Sequence, residues 1–286
     1  MRNILRNIGN EMSLMLRRPC AVITWLAMCF FVLWNFINNV NTAADRHFIS
    51  QMYDIAYITT LSMWSKSGFF LMTFYPVLVV LPTATSFFND TGSRMRIYIE
   101  ARSGKSAYYF SKFAAVFFST FIIFTVPFVA ELIISFICLP ASAHGDPSNF
   151  ELYKTAVEIY DYPFSELFIN NRFLWLLLAV VLFGMVSGVL AVFNAAVSSN
   201  SKIKYAIFTM ISVYILLNIC STFQSVFSLE YLTNYFLILR LFERGKNYMA
   251  YAMTLVVLIC FSVGIMTAHI KKDEAIARTV RMVTEG

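Results

Sequence analysis

The sequence predicts an all-α integral membrane protein: six transmembrane helices, an N-terminal interfacial helix, and a short outer re-entrant element before the sixth span. Three observations carry that prediction. The 286 residues are 59% apolar and only 13% charged, too few charges to give a domain of this size a polar skin. The 29 Phe and 15 Tyr suit lipid contact and the two membrane interfaces. Six stretches reach the roughly 20 mostly apolar residues that a bilayer crossing takes. They run approximately Cys20–Val40, Gly68–Phe88, Phe113–Cys138, Phe173–Val197, Ile203–Phe223 and Tyr248–Ala268, with Glu131 and Lys204 as the charges inside them.

The first stretch is too long, and too well followed by further spans, to be a cleaved leader. The whole chain, 1–286, therefore reads as one transmembrane domain. Its orientation follows from the Lys and Arg of the connecting segments. With the N-terminus inside, the cytoplasmic segments hold fifteen of the 22 basic residues. They are grouped at Arg2–Arg18, Arg94–Lys112, Lys202–Lys204 and Lys271–Arg281. Both termini are then cytoplasmic. The outer loop over 139–172 is acidic, with Asp146, Glu151, Glu158, Asp161 and Glu166 against Lys154 and Arg172.

Residues 1–19 place Ile4, Ile8, Met12 and Met15 at helical spacing, with Arg2, Arg6, Ser13 and Arg17 on other faces. That pattern predicts a helix in the inner interface, its Arg side chains near anionic lipid headgroups, broken at Pro19. Over 224–247, an apolar run interrupted by Glu230 and Arg240 is too short to span and predicts the re-entrant element. A seventh span there would put the basic tail outside, against the charge rule.

Several chemistries are excluded. Nucleic-acid binding needs a soluble basic module with stacking aromatics, and no soluble stretch is long enough. Cys20, Cys29, Cys138, Cys220 and Cys260 have neither metal-ligand spacing nor a paired count, and read as small apolar packers. The three His (His47, His144, His269) lie in outer loops or at a span end, so no metal site, haem or Ser–His pair is expected within the membrane. No catalytic residue is therefore assigned. Ser103-Gly104-Lys105-Ser106 has the tail of a phosphate-binding loop, but Ile99 stands where that loop needs Gly. Any ATP chemistry must come from another chain.

Two motifs within spans stand out. Gly184 and Gly188, continued by Ala191 and Ala195, form a small-residue face that predicts close helix packing rather than a serine nucleophile at Ser187. Glu131 sits about 27 Å along its span at 1.5 Å per residue, near the outer interface. It reads either as a snorkelling or hydrogen-bonded carboxylate at a helix end, or as a polar group at the outer mouth of a substrate path. Pro76 and Pro82 predict a kinked inner half of the second span.

The cytoplasmic loop 89–112 carries the most information. An acidic residue just inside the membrane, Asp90, is followed by a turn at Gly92-Ser93 and an amphipathic stretch with Arg94 and Arg96. A second turn follows at Ser103-Gly104, and Tyr108 and Lys112, one helical turn apart, mark re-entry into the third span.

In this order, Asp90, Gly92, Ser93, Arg102, Ser103, Gly104, Lys105, Tyr108, Ser111 and Lys112 resemble the loop between spans two and three in permease subunits of type-two ABC exporters. The layout of interfacial helix, six spans and re-entrant element resembles that family too; the long acidic outer loop departs from it. The resemblance implies a half-transporter that pairs with a second permease copy or paralogue and with two cytoplasmic ABC ATPase subunits. ATP and Mg would be bound in those partners, and no cofactor by this chain. The loop would form a coupling helix seated in the ATPase, with Arg94, Arg96, Arg102 and Lys105 as docking charges. Asp90 and Lys112 would fix the loop at the membrane edge, and the N-terminal helix would brace the inner gate. A bacterial plasma membrane is the expected location, and an amphiphile (peptide, lipid or drug) the expected substrate. A secondary transporter and a non-transporting membrane anchor or immunity protein are the competing readings.

Overall fold

The computed structural model describes residues 2–44, 55–62, 65–83, 90, 98–101, 104–139, 164–199, 211–219, 222, 252–253, 255–268 and 270–271. Among these residues there is no strand. Helix α1 covers Arg2–Leu16 and ends in a turn at Arg17-Arg18, whose amides bond back to Ser13 and Met15. Helix α2 then runs Pro19–Ala44. Pro19 therefore opens α2 at its first turn, where a missing N–H costs nothing. The sequence expectation of a break is met by the two-residue turn before it.

After α3 (Ile55–Ile58), α4 covers Lys66–Val80. Ser65 caps α4 by accepting from the Gly68 amide at 3.2 Å. A turn over 81–83 follows, where Pro82 has no amide to continue the ladder. At 15 residues α4 extends about 22 Å, shorter than the expected second span. Helix α5, Lys105–Cys138, has 34 residues with Pro127 in its C-terminal half. Helix α6 (Ser165–Asn170) comes just before α7 in the chain. Helix α7 (Arg172–Ser198) starts at Asn171, whose side chain accepts from the Leu174 amide. Two further helical stretches follow, α8 over 211–219 and α9 over Leu255–Ala268.

Three helices are long and apolar enough to cross a membrane: α2 over Pro19–Asn41, α5 and α7. They make this a helical membrane protein. They coincide with the first, third and fourth expected spans. Of the other three, only the shorter helices α4, α8 and α9 fall among the described residues, and the expected re-entrant element 224–247 lies outside them.

Helix α5 is the centre of the bundle, packing against α1, α2 and α7, while α4 fills the space between α2 and α7. The core is aromatic: Tyr75, Phe124 and Phe128 surround Phe183, with ring centroids 5.4–6.0 Å apart. Tyr75 is fully buried, and its hydroxyl is 2.9 Å from Ser187 Oγ. That pairing satisfies a polar group that hydrocarbon would leave stranded. On α7, Gly184 lies against Thr125 and Phe121, and Gly188 against Phe117; a Cβ at Gly188 would stand 2.7 Å from the Phe117 ring. Ala191 and Ala195 continue this face into a second cluster with Tyr108, Tyr109, Ala115 and Met15. Side chains such as Phe30, Leu33, Ile37, Phe69 and Phe74 point outward, as lipid-facing positions require.

Candidate functional site

Two buried polar clusters hang on α5, one near each end. The one near the N-terminal end of α5 centres on Lys112, whose side chain is fully buried. Its Nζ donates to Glu11 Oε2 of α1 at 2.7 Å and to Asp90 Oδ2 at 2.6 Å. Tyr108, one turn earlier on α5, donates its hydroxyl to the same Asp90 oxygen at 2.8 Å. Arg18, in the turn between α1 and α2, brings Nη2 to 3.9 Å from Asp90 Oδ1. Two carboxylates and two cations thus meet, and their charges cancel. Such cancellation is what makes ions tolerable away from water.

The cluster forms here because each contributor is placed by its own element. On α1, Glu11 and Met15 are one turn apart and face α5, with Met15 Sδ 3.6 Å from Ser119 Oγ. The α1 stripe of Met12 and Met15 packs on α5, so this face of the helix meets protein rather than lipid. At the start of α5, Gly104 adopts φ 85°, and its amide bonds to Glu100 O at 2.9 Å. The positive φ ends the short helical turn 98–101 and lets the chain re-aim into α5, a conformation that favours Gly.

Of the residues singled out in loop 89–112, the cluster unites Asp90, Tyr108 and Lys112. Gly104 holds the turn beside it, and Lys105 is half-buried at the first position of α5. Gly92, Arg94, Arg96, Arg102 and Ser103 lie outside the described residues. Glu11 and Arg18 are members that the sequence reading did not assign. The signal for Glu11 is that it is the sole acidic residue of 1–19, one turn before an apolar position.

The second cluster, toward the C-terminal end of α5, centres on Glu131, which is 3% exposed and so does not snorkel. Its Oε1 accepts from the Thr60 amide at 2.8 Å, the Thr60 hydroxyl at 2.6 Å and Asn35 Nδ2 at 2.9 Å. The other side of Asn35 is equally occupied: Oδ1 accepts from Ser65 at 2.7 Å and Ser67 at 2.9 Å. Asn35 and Asn39, one turn apart on α2, both donate to the Ile58 carbonyl at 2.6 Å. The connection between α2 and α4 is thereby pinned against both α2 and α5. Gly68 completes the seat, since a side chain there would run into the carbonyls of Thr60 and Ser62.

Along α5, Lys112 and Glu131 are about 28 Å apart at 1.5 Å per residue. The hydrocarbon core of a bilayer is about 30 Å thick. The two polar layers therefore bracket an apolar slab of membrane thickness. Among the described residues no group of three or more His, Cys, Asp or Glu gathers as a metal site requires.

Comparison of the chain with protein-family models, with curated proteins and with solved structures finds no match in any of the three.

Proposed function

We propose that this chain is the six-span permease subunit of a type-two ABC exporter. In this reading it works with separate ATPase subunits and a second permease copy or paralogue, moves an amphiphilic substrate, and has both termini in the cytoplasm. The observation that supports the reading is the cluster around Lys112. Asp90 at the beginning of loop 89–112 and Tyr108 and Lys112 at its end share hydrogen bonds, and Lys112 also holds α1 through Glu11. A loop pinned at both ends passes a displacement on to the helices it joins instead of absorbing it. An ATPase pair closing on the loop would thus pull on α5 and α1 together, a rigid-body response to a distant ligand. Arg94, Arg96, Arg102 and Lys105 are the charges assigned to docking. ATP and Mg belong to the partner.

The test is to purify the tagged full-length chain from its native membranes in mild detergent, identify what accompanies it and measure ATP hydrolysis. An ATPase is expected to accompany the chain and to be lost in the Arg102→Glu, Lys105→Glu double variant. A preparation without ATPase, in which the reversals change nothing, would overturn the reading in favour of secondary transport.

A further inference from the structure

The coupling mechanism makes no use of the Glu131 cluster, which encloses a carboxylate within α5. None of the ion pairs among the described residues includes Glu131. Instead, three donors converge on Oε1, at 2.8, 2.6 and 2.9 Å. Two of these are N–H donors and one is a hydroxyl, and a primary ammonium, which brings N–H donors together with a positive charge, can take the place of one or more of them. Two of the three come from Thr60, a residue of the connection between α3 and α4 rather than of a long helix.

That connection is an unusual seal. Thr59, Thr60, Ser62 and Ser65 are buried in it, and Ser67 follows on α4. An apolar seal resists wetting, whereas hydroxyls exchange protein partners for water at small net cost. The position is near the outer end of α5, where water is close. Lifting Thr60 away would leave the Glu131 carboxylate beside the Asn35 amide, which Ser65 and Ser67 hold in orientation. The stretch 139–172 that follows α5 is acidic, and an excess of negative charge raises the local concentration of cations.

We propose that Glu131 is a recognition site for the primary ammonium group of a cationic amphiphile, and that Thr60 occupies it as a stand-in donor when no ligand is present. The assignment deepens the exporter reading, on which it rests for its place in a substrate path. Binding itself needs no ATPase.

The experiment uses the full chain in phosphatidylcholine nanodiscs and reads tryptophan fluorescence, Trp34 being adjacent to Asn35. Dodecylammonium chloride is titrated against dodecanol, with a soluble lysine-containing pentapeptide as a third probe. In the wild type the ammonium probe is expected to give a saturable change that dodecanol does not. Glu131→Gln, which keeps an oxygen for the three donors, should weaken that binding at least tenfold. Thr60→Val removes one stand-in donor and should tighten it several-fold, a direction that a merely structural role would not produce. A response to the pentapeptide as well would assign the group to peptides, and a response to dodecylammonium alone to acyl-chain amines. Equal responses to amine and alcohol, an unchanged Glu131→Gln, or weakened binding in Thr60→Val would each overturn the proposal. Because the readout is equilibrium binding, its failure leaves the coupling test standing, and an absent ATPase leaves this result readable.

Discussion

The two ends of α5 solve the same problem with different chemistry. Near the N-terminal end, Lys112 is neutralised by carboxylates from α1 and residue 90. Toward the C-terminal end, Glu131 is held by neutral donors from α2 and the α3–α4 connection. An ionic knot is expensive to leave half-made, because removing one member strands a charge in a low-dielectric setting. Hydrogen bonds from neutral donors can be exchanged for bonds to water at much smaller cost. The Lys112 end of α5 is therefore the costlier of the two to break.

The comparison is broken most severely at Lys112. Lys112→Met is expected to cost about 3–5 kcal/mol, because Glu11 and Asp90 are left buried without their cation. Loss of folded protein on fluorescence-detected size exclusion would read it. Adding Glu11→Gln to Lys112→Met should recover part of the loss, whereas additive damage would show that the two do not share one network. Next in size is Gly188→Leu, which drives a side chain into Phe117 and should cost about 1–3 kcal/mol by overpacking the α5–α7 seam. The thermal midpoint in detergent checks it.

At the second knot, Glu131→Leu should cost about 1–3 kcal/mol, by stranding the Thr60 and Asn35 donors. Glu131→Gln should cost less than Glu131→Leu, and an equal loss would show that the charge itself, not its accepting oxygen, holds the connection. Tyr108→Phe is the smallest change. It removes one of the donors to Asp90 and should lower stability by about 1 kcal/mol while Lys112 keeps the carboxylate paired.

Local pattern explains what was legible. The apolar run over Phe173–Val197 became α7 almost end to end, since hydropathy acts on each segment separately, whereas Phe113–Cys138 became the larger part of α5, whose helix begins earlier, at Lys105. The second span departed from its expected bounds because Ser65 caps the helix early and Pro82 follows its end, while hydropathy continues past both. Tyr108 and Lys112 were visible as neighbours because one helical turn separates them. Asp90 was visible as the acidic residue at a membrane edge.

Other partners were not legible, for a physical reason. Lys112 and Glu11 are 101 residues apart, Glu131 and Asn35 are 96 apart, and Glu131 and Thr60 are 71 apart. No periodicity links such positions. The sequence by itself determined a helical membrane protein, the bounds of α7 nearly to the residue, and the presence of a carboxylate within the span that became α5. Hydropathy and charge are properties of single segments, so composition along the chain suffices for them. Only the tertiary structure decided that Glu131 is gripped rather than exposed, and that α1 is fastened to α5 through Glu11. A buried polar group takes whichever partner the packing of separate helices brings within about 3 Å, and that choice is made between segments.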